Sequence, residues 1–138
     1  MNALRRLAAT QAGWGIAVLR LVLGVIFFRE GSGKLFGWFG GEGFAGTCAY
    51  FRQLGIPFPE VNAWFVATVE FSGGLAFLLG FMTRAAAVPI AATMGVAILT
   101  AHRGGGWSYP ALILASCAAL LQAGSGPLSV DRRMGGGS

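Results

Sequence analysis

Charge is scarce in this chain: Asp, Glu, Lys and Arg make up 11% of its 138 residues, against 55% hydrophobic residues. A soluble domain carries about a quarter charged residues, so this balance, with a mean hydropathy of +0.67, excludes the ordinary soluble class. Histidine occurs once and cysteine twice. Two cysteines build no disulfide framework, and Cys48 and Cys117 belong to segments whose expected depths differ by roughly 15 Å, too far for a bridge. One histidine and two separated cysteines also supply no metal or haem ligand set, so neither is expected. The chain lacks a nucleotide loop, a Ser-His-Asp set and a CxxC pair. No internal repeat is visible.

What the chain does have is long uncharged runs. Ala85 to Ala101 and Gly104 to Val130 carry no strong charge but Arg103 between them; each is close to the roughly 20 apolar residues that cross a bilayer about 30 Å thick. Ala63 to Met82 is interrupted only by Glu70, and Trp14 to Gly37 by Arg20, Arg29, Glu30 and Lys34. The expected architecture is all-α: an integral membrane four-helix bundle forming one domain, 1–133, with spans at about 14–37, 62–82, 85–102 and 107–125. Residues 134–138 read as a linker or tail ending in GGGS. With four spans, Arg5, Arg6, Arg84, Arg132 and Arg133 fall on one side, which orients both termini toward the cytoplasm. Topology therefore accounts for the net charge of +5, and nucleic acid is not an expected partner. The opening MNALRR and the apolar stretch behind it read as a retained span, not a cleaved leader, because the stretch is long and broken by Arg20.

Aromatic residues support the same layout. Trp38, Trp64, Trp107 and Tyr109 fall at outer span ends and Trp14 at an inner one, as an interfacial belt requires. Between spans one and two, Phe44, Cys48 and Phe51 recur at i, i+4, i+7, with Arg52 and Gln53 off the stripe. This predicts a short amphipathic outer helix, ended by Gly55, Pro57 and Pro59, that serves either as a lid or as an ordered connector. Ala111, Ala115, Ala119 and Ala123 give span four a small-residue face, and Gly73, Gly74, Ala76 and Gly80 do the same for span two.

The charges inside span one pose the functional question. Its twelve Leu, Ile, Val and Phe residues contribute roughly 0.3 to 0.6 kcal/mol each to insertion, about 5 in all. Four ionised side chains at the bilayer centre cost about 12 kcal/mol together. Arg20 lies near the inner end and is expected to snorkel. Glu30 and Lys34 form an i, i+4 pair in the favourable order. Arg29 then lacks a partner on its own helix, and Glu70 lies at the same depth on span two. The expectation is an Arg29–Glu70 pair inside the bundle, with Glu30 and Lys34 close above and Thr93 and Ser116 at the same level. His102, at the outer end of span three, adds a group that titrates near neutral pH. Intramembrane ionisable residues mark ligand or proton routes; fixing helix register is the competing reading.

The stretches LRLVLGVIFF, EGSGKLFG, GIPFPE, VEFSGGLAFLLGFMTRAAA, AILTAHRGGG and LSVDRR together resemble the DoxX family of small four-helix bacterial membrane proteins, from about Leu19 to Arg133. Glu70, Gly73, Gly74, Gly80, Thr83 and Arg84 fit that pattern in order and spacing; Gly73, Gly74, Gly80, Arg84 and Asp131 are taken as structural. Glu30 departs from it, since many members carry a histidine there. The resemblance implies a protein of the bacterial cytoplasmic membrane, described in the family as a subunit of quinol oxidase or thiosulfate:quinone oxidoreductase, or as a membrane partner of thiol and oxidative-stress proteins. The expectation is an accessory membrane subunit of a quinone-linked redox system, embedded in the lipid bilayer beside other redox subunits, with a quinone-like or other apolar ligand near Arg29, Glu30, Lys34, Glu70 and His102. Whether the chain itself catalyses is left open. The alternative is a non-catalytic scaffold or assembly subunit docking through the alanine face; a proton-coupled carrier ranks third, because no broken-helix pair is present.

Overall fold

A computed structural model describes residues 13–101, 104–127 and 129–134. These residues fold as helix α1 (Trp14–Phe36), a 3-10 turn (Trp38–Gly40), α2 (Gly43–Gln53), α3 (Pro59–Leu79), α4 (Thr83–Leu99), α5 (Ser108–Ala123) and the short α6 (Val130–Met134). Every described element is helical. Pro59 opens α3 at its first turn, where a missing N–H is harmless, and Gly80 closes it in the left-handed region at φ 67°.

The helices meet antiparallel, and glycine sets how closely. A side chain at Gly74 would run into the Phe27–Phe28 backbone, and one at Gly31 into the backbone of Phe71. With no Cβ at either position, α1 and α3 pack backbone to backbone, the contact that van der Waals attraction favours between helices in lipid. Gly73 receives the tip of Ile90 from α4. Below and between these contacts lies the core, in which Leu23, Phe27, Phe77, Ile90, Cys117 and Leu120 are buried. The inward face of α5 is thus Pro110, Ile113, Cys117 and Leu120, while Ala115 and Ala123 are exposed.

Outward, the polarity is reversed from that of a soluble fold. Val22, Phe65, Leu99 and Leu112 are each at least half exposed, and so are Trp14, Trp38, Trp64 and Trp107. Among the described helices, α3 is long and apolar enough to cross a membrane by length and composition; α4 and α5 are apolar but shorter. A helix of 17 residues spans about 26 Å at about 1.5 Å per residue.

The end of the bundle that holds α6 is closed by buried polar groups. Arg20 is fully buried and does not snorkel. Its Nη1 donates to the carbonyl of Phe77 at 2.6 Å, its Nε to Ser125 at 2.8 Å and its Nη2 to Pro127 at 3.3 Å. The Phe77 carbonyl, which also accepts from the Gly80 N–H at 3.2 Å, and the turn after α5 together give the guanidinium an internal partner set. Nearby, Asp131 accepts from the backbone N–H groups of Met82 at 2.7 Å and Thr83 at 3.0 Å, capping α4 from another element. Ser125 donates to the same carboxylate at 2.5 Å. Burial pushes the Asp131 carboxyl up, but the hydrogen bonds from Ser125, Thr83 and Met82 outweigh it and hold the group below its ordinary value. Gly80 is crowded by Ser129 and by Arg20 Nη1, which explains why a side chain is absent there. Arg84, at the same end, is exposed and donates to the Gln122 carbonyl at 3.2 Å.

Candidate functional site

At the opposite end, α2 lies across the bundle. The stripe read from the sequence faces inward: Cys48 and Phe51 are buried against Ala63 with Phe44 beside them, while Arg52 stays outside and pairs with Glu60 of α3. Asn62 ties the Pro57–Phe58 turn to α3 by donating to both carbonyls. Tyr50 and Phe51 of α2, with Leu54 and Ile56 after it, cover a cavity of about 320 Å³.

Glu70 is the buried carboxylate of this cavity, 3% exposed. Its Oε2 accepts from Lys34 Nζ at 2.6 Å, and the same ammonium reaches Glu30 Oε2 at 3.4 Å. Glu70 Oε1 has no hydrogen bond among the described residues. The expected Arg29–Glu70 pair is therefore corrected: Lys34 is the partner, and Arg29 is exposed with its guanidinium 5.8 Å from the Phe39 ring centroid. Azimuth decides this. At about 100° per residue, Lys34 is two turns from Phe27 and shares its inward face with Arg20, whereas Arg29 points nearly opposite to Phe27.

The rest of the lining is apolar and aromatic, with Phe27, Phe65, Val66 and Val96 among its members, and Thr93 and Tyr109 add hydroxyls. Tyr109 was read from the sequence only as a belt residue; its position two residues inside α5, directly before the buried Pro110, is the signal that aims it at the cavity. Ser116 does not join this site: it lines neither cavity at this end, and its hydroxyl donates to Leu112 on its own helix at 2.8 Å. A second, more open cavity of about 570 Å³ adjoins the first and contains Arg29, Glu42, Thr47 and the Gly40–Gly41 turn. Both are lined by Glu30, Lys34, Tyr50 and Tyr109. His102, Arg103, Arg5, Arg6 and the GGGS tail lie outside the described residues. Among the described residues no group of His, Cys, Asp and Glu is placed to hold a metal ion.

An all-helical bundle with an apolar outer surface and a buried carboxylate–ammonium pair is of the membrane-protein class. The DoxX family model matches residues 15–103, and the chain belongs to the DoxX family of membrane proteins. Over 87 residues the chain is 37% identical to "Inner membrane protein YqjF" of Escherichia coli (strain K12), covering 63% of this chain and 58% of that protein. Over 86 residues it is 34% identical to "Putative oxidoreductase CatD" of Bacillus subtilis (strain 168), covering 62% of this chain and again 58% of the relative. The matches therefore span less than two thirds of either relative. No solved structure matches the chain.

Proposed function

We propose that the chain is an accessory membrane subunit of a quinone-linked redox system of the bacterial inner membrane, with four spans and both termini in the cytoplasm, and that it holds the ring of a quinone-like or other apolar ligand under α2. The observation that carries this reading is the Glu70–Lys34 pair set in the wall of a largely apolar cavity. Burying the Glu70 carboxylate costs several kcal/mol of desolvation, a cost that a bundle packed only with apolar side chains avoids. A volume of about 320 Å³ is at the low end of ligand sites, which run from about 300 to 1,000 Å³. It accepts one substituted ring and leaves a long tail in the lipid, past the exposed Phe65 and Val96 on its rim. The name of the Bacillus relative agrees with redox work without specifying a ligand.

The test is binding of decylubiquinone to purified protein in lipid nanodiscs, followed by quenching of tryptophan fluorescence. Saturable binding that weakens at least tenfold in Glu70→Gln, with unfolding temperature retained, is the expected result. Absence of saturable binding to the wild type sinks the reading. The exposed Ala115 and Ala123 on α5 favour one alternative, a scaffold that docks its outer face on a larger complex. Recovery of a stoichiometric protein partner without any small ligand would favour it.

A further inference from the structure

The two cavities of the α2 end differ in character and meet at one pair of charged side chains. The inner one is walled by Phe27, Phe51, Phe65 and Val66, none of which can accept a proton. The outer one holds Arg29, Glu42 and Thr47. Glu30 and Lys34 line both. Glu30 is 58% exposed at its side chain and Glu70 only 4%, and the Lys34 ammonium touches both carboxylates.

We propose that Glu70, Lys34 and Glu30 form a proton relay that carries a proton from the head of a cavity-bound ligand to the polar opening beside α2. The relay rests on the ligand reading above and adds to it a direction and an order of groups. A ligand hydroxyl donates to Glu70 Oε1, the carboxylate oxygen that no group among the described residues holds. The ligand O–H bond breaks, its electron pair stays on the ligand oxygen, and Glu70 becomes a carboxylic acid. Lys34 then hands one of its protons to Glu30 and takes the Glu70 proton in return. Glu30 gives its proton to water in the outer opening, and all three groups return to their starting charges with no electron moved.

Charge arithmetic supports this order. Two carboxylates and one ammonium sum to −1, so one added proton makes the trio neutral wherever it rests and never leaves net positive charge against the apolar wall. Among the described residues, the other titratable or charged groups that face the trio are Tyr50 from α2 and Tyr109 from α5, with Arg29 and Glu42 across the opening. A guanidinium has no lone pair with which to accept the proton, and a neutral phenol is a far weaker base than a carboxylate, so neither competes for it. Glu42 lies in the opening itself and can only speed the final release.

The test uses 4-nitrophenol, a single ring whose absorbance reports ionisation of its own hydroxyl, bound to the full chain in nanodiscs with empty nanodiscs as background. After a pH jump in a stopped-flow instrument, the bound phenol should ionise faster than it dissociates on dilution. Glu30→Gln should slow ionisation on the order of a hundredfold, or down to the dissociation rate, while affinity changes less than about twofold. Glu30→His keeps a titratable group and should restore the rate, which a purely structural role for position 30 does not predict. Unchanged ionisation kinetics in Glu30→Gln overturn the relay and leave the ligand site standing. Failure of the wild type to bind the phenol overturns the ligand reading and the relay together. Should Glu30→Gln not fold, Glu30→Ser at this exposed position gives the same comparison.

Discussion

The ammonium of Lys34 has more consequence than any other single group at the α2 end. Removing one partner of a buried ion pair leaves the other charge uncompensated, which costs about 3 to 5 kcal/mol. Glu70 is nearly fully buried and Lys34 is its only hydrogen-bond donor among the described residues. Lys34→Met should therefore lower the unfolding temperature in detergent far more than Glu70→Gln, and the double variant should be milder than the sum of the two. Arg29→Ala should be close to neutral, within about 1 kcal/mol, because it loses only an exposed contact with Phe39. Combined with Glu70→Gln, its effect should simply add. A different signature is expected at Ser32, whose buried hydroxyl has no hydrogen-bond partner among the described residues. Ser32→Ala removes an unmet desolvation cost and should leave stability unchanged or raise it by about 1 kcal/mol in the same thermal assay.

Among the elements, the α1–α3 contact is the tightest, and two glycine substitutions separate its role from ordinary helix propensity. Gly74→Ala pushes a methyl into the Phe27–Phe28 backbone, which has no side chain to swing aside. An overpacking cost of about 1 to 3 kcal/mol is expected. Gly95, inside α4, has open space around an added Cβ; Gly95→Ala should gain up to about 1 kcal/mol from helix propensity alone. Thermal unfolding of the two variants side by side checks both signs. These elements also show what was legible in the sequence. The period of Phe44, Cys48 and Phe51 disclosed the inward face of α2, and the glycines of span two disclosed its close packing, because both signals are local and periodic. Depth along the chain placed Glu70 at the right level but chose the wrong cation, since depth says nothing about azimuth. The seven-residue spacing of Arg20, Phe27 and Lys34 held that information. The partners that let Arg20 stay buried were not legible, because they are carbonyls brought from α3 and from the turn after α5, more than fifty residues away.

At the scale of the whole molecule, the two ends differ in design: the α2 end sets a buried ion pair in a largely apolar cavity, whereas the α6 end ties its buried polar groups together with hydrogen bonds beside an open cavity of about 500 Å³ lined by Arg84 and Asp131. Asp131 joins that end together, since it caps α4, accepts from Ser125 and through its own N–H donates to the Gly80 carbonyl at 2.8 Å. Its carboxyl titrates below the ordinary value in the folded chain. A group with a depressed folded value binds protons more readily when unfolded, so it stabilises the fold above the unfolded value of about 3.9 and loses that contribution as pH falls through the lower folded value. Acid unfolding should accordingly steepen below about pH 4, in a window set by this carboxylate among others. Asp131→Asn keeps the shape but supplies a weaker, neutral acceptor at the N-terminus of α4, where a negative charge is favoured. It should cost about 1 to 2 kcal/mol at neutral pH, as loss of a good helix cap does. Its deficit should shrink toward acid, because the wild type loses there what the variant never had. Unfolding temperatures of both proteins in one detergent, taken from about pH 7 to pH 3, decide the matter. Parallel curves would mean that the carboxylate is not what closes the α6 end. Converging curves would show that a single charge on the last described helix holds α3, α4 and the turn after α5 in register.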